Sequence, residues 1–160
     1  MNNIYVISDL HLGHEKLALK RGFAGVKEQD ELIIDRWNSK VNKRDTIWIL
    51  GDVVLGGSGN LHILNKLIGV KKLVMGNHDT YPTSSYLKYF NRVYGAVQYK
   101  DCVLTHIPVH PSQFPRFRLN IHGHLHLKVI ADTRYINVSC EQVNYTPVLI
   151  KNIIKIQLGD

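Results

Sequence analysis

Eight side chains of the types that bind divalent cations each sit at the end of an apolar run. Asp9 and His11 follow Ile4–Ile7, Asp52 follows Ile47–Leu50, and Asn77 and His78 follow Leu73–Met75. His106 follows Val103–Leu104, and His124 and His126 belong to His122-Gly123-His124-Leu125-His126. An apolar run ending in Asp, Asn or His reads as a buried strand that delivers a side chain to a sheet edge. Open α/β sheets place their chemistry at the carboxyl ends of strands. Five of the nine histidines occupy such positions. Burying so many polar groups is costly unless a cation or similar partner pairs with them. The set is large enough for two divalent ions held close together.

Spacing adds to this. In an extended segment residues i and i+2 face the same way, so both ends of Asp9-Leu10-His11 can reach one ion, and so can both ends of His124-Leu125-His126. Gly123 lets the backbone approach closely or turn unusually. Gly51-Asp52 sets a carboxylate directly after a strand, and its two oxygens can bridge two cations. Gly76-Asn77-His78-Asp79 offers an amide oxygen, an imidazole and a further carboxylate in succession. The donors are nitrogen and oxygen without thiolate, which suits Mn²⁺, Fe, Ni²⁺, Co²⁺ or Zn²⁺; Mn²⁺ is the first expectation.

The elements that must position these groups are readable from periodicity. Residues 4–8, 46–50 and 71–75 predict strands. Leu32, Ile33, Trp37 and Val41 at helical spacing predict a helix over 28–41. Gly56-Gly57-Ser58-Gly59 predicts a loop, 60–68 a helix stopped by Gly69, and 83–90 a short helix with Thr83 as its N-cap. Thereafter 92–99, 101–105, 118–122, 128–131, 134–139 and 147–157 all predict strands. Strand–helix alternation followed by a strand-rich half predicts an α/β fold of two packed mixed sheets flanked by helices.

With 160 residues, one domain spanning 1–160 is expected. The net charge of +7 favours an anionic partner such as a nucleotide, a nucleic acid or another phosphorylated molecule. No apolar stretch reaches the ~18 residues of a membrane span, and Met1-Asn2-Asn3-Ile4-Tyr5 lacks the features of a signal peptide. A cytoplasmic protein is expected. Cys102 and Cys140, in strand-like surroundings without metal-type spacing, read as buried free thiols.

The order D-x-H, G-D, G-N-H-D, a lone His and G-H-x-H, spanning residues 9 to 126, resembles the calcineurin-like metallophosphoesterase superfamily. His11-Leu12-Gly13-His14 and the segment from Asn137 to Val148 resemble its small single-domain bacterial and phage branch. The resemblance implies an α/β/β/α sandwich and a two-metal phosphoester hydrolase. Asp9, His11 and His126 would hold one ion, Asn77, His106 and His124 the other, and Asp52 would bridge them. Water activated between the ions would attack phosphorus in line, and His78 would protonate the leaving oxygen. Asp79 is expected to orient His78; the alternative is a turn residue.

Phosphoprotein phosphatases of that superfamily carry G-D-x-V-D-R-G, whereas this chain reads Gly51-Asp52-Val53-Val54-Leu55-Gly56-Gly57, without the Arg that would grip a dianion. A phosphodiesterase on nucleotide-type diesters, including cyclic nucleotides and dinucleotides, is therefore favoured. A nuclease on single-stranded DNA or RNA and a phosphomonoesterase stay open, while an inert binding scaffold is disfavoured because no ligand position is lost. For specificity, Phe114 could stack a base while Arg116 and Arg118 meet phosphate, or Phe114 could pack on the core. His14, Lys16, Lys20 and Arg21 could form another wall of the site; a solvated basic segment is the favoured account there, with His14 the best exception. The short segments between motifs leave no room for a cap domain, so the pocket is shallow or a second copy of the chain completes it.

Overall fold

The computed structural model of the chain describes residues 2–56 and 58–159. In order it contains β1 (Ile4–Ile7), α1 (Glu15–Lys20), α2 (Val26–Lys40), β2 (Thr46–Ile49), a 3-10 helix (Ser58–Lys66), β3 (Val70–Val74) and α3 (Thr83–Tyr86). There follow β4 (Arg92–Tyr94), β5 (Val97–Tyr99), β6 (Cys102–Leu104), a 3-10 turn (Pro111–Gln113), β7 (Leu119–His122), β8 (Tyr135–Asn137), β9 (Val148–Leu149) and α4 (Ile150–Leu158). One sheet has the order β4-β3-β2-β1-β9 and the other β5-β6-β7-β8. Both are mixed. β1 to β4 pair in parallel and β9 runs antiparallel to β1. β6, β7 and β8 are parallel and β5 is antiparallel.

Alternation along the strands sets the layers, because successive side chains leave opposite faces of a sheet. Tyr5, Ile7, Ile47, Ile49 and Leu73 face outward and pack with Ile33 and Trp37 of α2, and with Leu61, Leu64 and Tyr86. The intervening Val6, Trp48, Leu50 and Val74 face the second sheet and pack with Cys102, Leu104, Leu119 and Ile121, joined by Ile150 and Ile154 of α4. Two sheets thus lie face to face with flanking helices. The segment between β6 and β7 covers the second sheet's outer face: Tyr135 Oη donates to Val109 O (2.7 Å) and Val109 N to Asn120 Oδ1 (2.9 Å). The sheets are stitched where β1 and β8 end, by Ser8 N to Val138 O (2.9 Å) and Cys140 N to Ser8 O (3.0 Å). That junction brings the carboxyl ends of both parallel sets together.

Several elements differ from expectation. Residues 147–157 hold only the two-residue β9, and α4 takes the rest. β-branched composition spoke for a strand, but Ile150 and Ile154 recur at helical spacing and are the buried residues, and left-handed Gly159 (φ 74°) ends the helix. Residues 92–99 divide at Gly95-Ala96 into β4 and β5, which belong to different sheets. No strand forms over 128–131, where Val129 is 71% exposed and no neighbouring strand pairs. The helix read at 60–68 is the 3-10 helix, that at 83–90 is limited to α3, and Pro82, not Thr83, precedes its first turn. Gly57 of the glycine-rich loop lies outside the described residues. α1 falls in the stretch read as a solvated basic segment.

Both cysteines are buried free thiols, and burial pushes the Cys102 thiol up to about 11. Among the described residues no helix is long and apolar enough to cross a membrane.

Candidate metal centre

The loops that follow β1, β2, β3, β6 and β7 converge on one point. Asp9, His11, Asp52, His124 and His126 all have left-handed backbone, with φ of 58°, 48°, 56°, 68° and 51°. For residues with a side chain this costs about 1 kcal/mol each and persists only where the surroundings over-determine it. It also corrects the spacing argument. Asp9 and His11 project together because both are left-handed around the fully buried Leu10, not because the segment is extended. Ladder-like bonds fix the strained loop: Asp9 N donates to Gly51 O (3.0 Å), His11 N to Asp52 O (2.9 Å) and Leu12 N to Val53 O (3.0 Å). Two glycines make the approach possible. A Cβ on Gly76 would strike the Asp52 carboxylate, and one on Gly123 would strike the Ser8 and Asp9 side chains.

Seven candidate ligands meet there. His11 Nε2 lies 3.7 Å from Asp9 Oδ1 and 3.6 Å from Asp52 Oδ2, and His126 Nε2 lies 3.7 Å from Asp9 Oδ1. On the other side His106 Nε2 is 3.3 Å from Asp52 Oδ2 and 2.9 Å from Asn77 Oδ1. His124 Nδ1 is 3.0 Å from Asn77 Oδ1 and 3.3 Å from His106 Nε2. Asp52 Oδ2 therefore faces both groups, while its Oδ1 accepts the His78 amide (2.8 Å).

The residues fit divalent cations. Asp9 Oδ1 and both ring nitrogens of His11 are buried without a hydrogen-bond partner. Such atoms cost about 1–3 kcal/mol each when left unsatisfied. Asp9 Oδ1, His11 Nε2 and His126 Nε2 lie too far apart for hydrogen bonds, at 3.7 Å, and near enough to share an ion with bonds of ~2.1 Å.

Electrostatics agrees. Burial opposes ionisation of Asp9, yet the nearby His11 imidazole and Ser8 hydroxyl, charge at His106 and the His124 amide hold its carboxyl well below the usual carboxylate range. Asp52 is likewise held low, against burial, by His106, the His78 amide and His11. Backbone and side-chain acceptors set the imidazole tautomers. Leu50 O can only accept, so the contact at 2.7 Å puts the proton of neutral His106 on Nδ1 and turns the Nε2 lone pair toward Asp52.

Sequence reasoning missed the groups behind His126. Glu141 Oε1 takes His126 Nδ1 (2.9 Å) and also Arg21 Nε (2.8 Å). Burial would raise the Glu141 carboxyl, but these two partners hold it at about 2. Arg21, read as solvated, has a side chain only 2% exposed. Its Nη2 donates to Asp9 O (2.7 Å), and its Nη1 to Gln29 Oε1 (2.9 Å) and Leu10 O (3.2 Å). One guanidinium thus holds the Asp9–His11 loop and, through Glu141, His126. The available signal was helical: Arg21 follows the buried Ala18 at i+3, while Lys16 and Lys20 face out. Glu141 carried no spacing signal at all.

Other expected site residues divide. The exposed His78 has its ring 5.7 Å from that of His11. His14 borders the centre, 5.9 Å from His11, with a buried, unpartnered Nδ1. Asp79 does not orient His78: its carboxylate accepts from the amides of Asp52 (2.8 Å), Gly76 (2.8 Å) and Val53 (3.0 Å). It staples the second and third ligand loops together as a turn residue. Nor does the 110–118 segment bring Phe114, Arg116 and Arg118 to the centre. Phe114 packs edge-on against Tyr135 (4.9 Å) beneath the Arg134 guanidinium (4.2 Å), and Arg116 lies over Phe117 (5.4 Å). Arg118 precedes β7, its amide bonded to Asp101 O (2.7 Å), at the end of that strand away from His122. The outer face of the second sheet needs an apolar cover, and this segment supplies it.

A face-to-face pair of mixed sheets with an Asp/His/Asn cluster at the strand ends defines a metallophosphoesterase-type architecture. The family model for calcineurin-like phosphoesterase matches residues 3–146, and the chain belongs to that family. The gene 66 protein of Mycobacterium phage L5 is 33% identical over 81% of this chain and 80% of its own length. The crystal structure of protein AQ665 from Aquifex aeolicus superposes with a TM-score of 0.80 at 25% identity, covering 98% of this chain and 100% of that one. A symmetrical bis(5'-nucleosyl)-tetraphosphatase of Buchnera aphidicola is 32% identical over a segment covering 48% of this chain and 24% of that protein.

Proposed function

We propose that the protein is a two-metal phosphodiesterase acting in the cytoplasm on nucleotide-type phosphodiesters, with Mn²⁺ as its working ion. The observation that carries this is the set of buried, unpartnered donors on Asp9 and His11, converging with His126 and sharing Asp52 with a second cluster. Asp9, His11 and His126 would hold one cation, Asn77, His106 and His124 the other, and Asp52 both. The cations would supply Lewis acidity, neutralising phosphoryl oxygens and making a water acidic enough to attack at neutral pH.

The chain's own groups do the rest. His78 is exposed at the mouth of the cluster and would protonate the leaving oxygen. The hydrogen bond that its backbone amide donates to Asp52 keeps that loop in register with the cluster. Arg21 and Glu141 hold the first ligand set from behind. The preference for a diester rests on charge. Arg21 spends its donors on Asp9, Leu10, Gln29 and Glu141, and Arg116 and Arg118 lie away from the cluster. None of these three guanidiniums is placed to grip the second charge of a monoester. The net charge of +7 and the segment shared with a dinucleoside tetraphosphatase support a nucleotide-like substrate. The buried reduced thiols suit a reducing compartment.

The test is turnover of bis(p-nitrophenyl) phosphate against p-nitrophenyl phosphate with added Mn²⁺, in the natural protein and in His78→Ala. Diester hydrolysis that requires Mn²⁺ and exceeds monoester hydrolysis is expected. Faster monoester turnover, or turnover indifferent to chelation, would overturn the reading.

A further inference from the structure

Beside His124 and His126 lies a cavity of about 650 Å³, lined also by Leu17 and Lys20 of α1, by Leu127 and Lys128, and by Tyr145. Its size is that of a small-ligand site. Three observations describe what it would accept. First, the lining is amphipathic in a particular way: leucines and an aromatic ring stand beside lysines. Leu127 is 75% exposed, a large apolar surface left in water at the edge of the candidate centre.

Second, the ammonium groups of Lys20 and Lys128 have no hydrogen-bond or ion-pair partner among the described residues. The other opposed charges at the cavity, Arg21 and Glu141, cancel each other at 2.8 Å. Two uncompensated lysine side chains therefore line the space. Third, Tyr145 is held there at a cost. Asn144 and Tyr145 are consecutive left-handed residues (φ 50° and 53°), a conformation that a bulky side chain rarely adopts. The ring is pinned by Phe23, edge-on at 5.3 Å, and by the Arg21 guanidinium at 5.6 Å.

An apolar and aromatic wall, two free cations and an opening onto phosphoester-binding groups together match one chemical class. We propose that this cavity is a subsite for a mononucleotide unit of the substrate that carries a phosphate besides the scissile one. The base and sugar lie against Leu17, Leu127 and Tyr145, and the additional phosphate meets Lys20 and Lys128. The proposal rests on the phosphodiesterase reading and narrows it. A 5'-phosphorylated dinucleotide or short oligonucleotide satisfies the lysines, whereas a 3',5'-cyclic mononucleotide offers them nothing. The specificity elements are then α1 and the 125–128 segment, not the 110–118 segment.

The test compares 5'-phosphorylated diadenylate with bis(p-nitrophenyl) phosphate in the natural protein and in Lys20→Ala/Lys128→Ala. The double substitution is expected to lower kcat/KM on the dinucleotide about tenfold, mainly through KM, and several times more than on the small diester. Equal losses on both substrates, or no loss on the dinucleotide, would overturn the proposal. A second readout is independent of turnover: calorimetric binding of adenosine 3',5'-bisphosphate to the protein in EDTA. Binding about tenfold weaker in the double variant supports the subsite even if the natural protein cleaves neither diester, an outcome that removes the phosphodiesterase reading alone. Equal binding by both proteins removes the subsite.

Discussion

Asp9, His11 and His126 stand apart, with both imidazoles 3.7 Å from the same carboxylate oxygen, whereas Asn77, His106 and His124 touch one another at 2.9–3.3 Å. The first group has three left-handed residues, unpartnered atoms on Asp9 and His11, and a buried support of Arg21 and Glu141. Asp9 Oδ2 is fixed by the His124 amide (2.8 Å) and the Ser139 hydroxyl (3.0 Å), leaving Oδ1 free. The second group is more crowded: Asn77 is exposed, and its amide oxygen lies 2.9 Å from His106 Nε2 and 3.0 Å from His124 Nδ1. Pre-organised donors gain affinity because little ordering remains to be done on binding. Donors crowded against one another must first move to admit an ion. The first group should therefore bind its cation more tightly, at the cost of stability when empty.

Asp52 is where the comparison can be broken most severely, since its Oδ2 faces both groups. Asp52→Ala should lose both ions and lower diester turnover about 10⁴-fold, which is about 5.5 kcal/mol of activation free energy. Retention of one tightly held Mn²⁺, by metal analysis of the dialysed protein, would mean that the two groups are independent. His78→Ala should separate metal binding from chemistry, keeping both ions and losing about 10³-fold in kcat. A drop in metal content would instead give His78 a ligand role.

Glu141→Gln sharpens the contrast further, because it weakens only the support of the first group, at His126 and at Arg21. Mn²⁺ affinity at the tighter site should fall about 10–100-fold, with the weaker site unmoved in a calorimetric titration. Arg21→Met should do the same, whereas equal weakening of both sites would show that the support is shared. The smallest effect expected is thermal. Mn²⁺ at ~100 times its Kd should add about 2.7 kcal/mol of stability, a rise in Tm of about 5–10 °C. His126→Ala should remove more of that rise than His124→Ala, and the reverse order would invert the ranking of the two groups.

Much of this was legible in the chain. The apolar runs before Asp9, Asp52, Asn77 and His124 correspond to β1, β2, β3 and β7, because a buried strand of a parallel sheet needs a continuous apolar run and ends where polarity begins. Other parts were not. Arg21 looked solvated because its signal, the i+3 spacing from Ala18, is a single repeat at the end of a six-residue helix. Glu141 had no motif because its partner, His126, lies in another loop. Phe114 looked available for stacking because composition does not say which sheet face lacks a cover. The four isoleucines from Ile150 to Ile156 favoured a strand by β-branching, and packing of Ile150 and Ile154 against both sheets selected the helix whose spacing those two also fit.

By itself, the order of residues determined which donors exist and which strand ends carry them, because hydrophobic periodicity and turn chemistry are local properties. Only the tertiary structure decided how those donors are spaced, which backbone residues are strained, and what stands behind each imidazole. It also decided that a cavity with free lysines opens beside His126, not under the arginine-rich segment. Those properties arise from contacts between residues more than a hundred positions apart, such as Arg21 with Glu141 and Asp9 with His124, which no local pattern records.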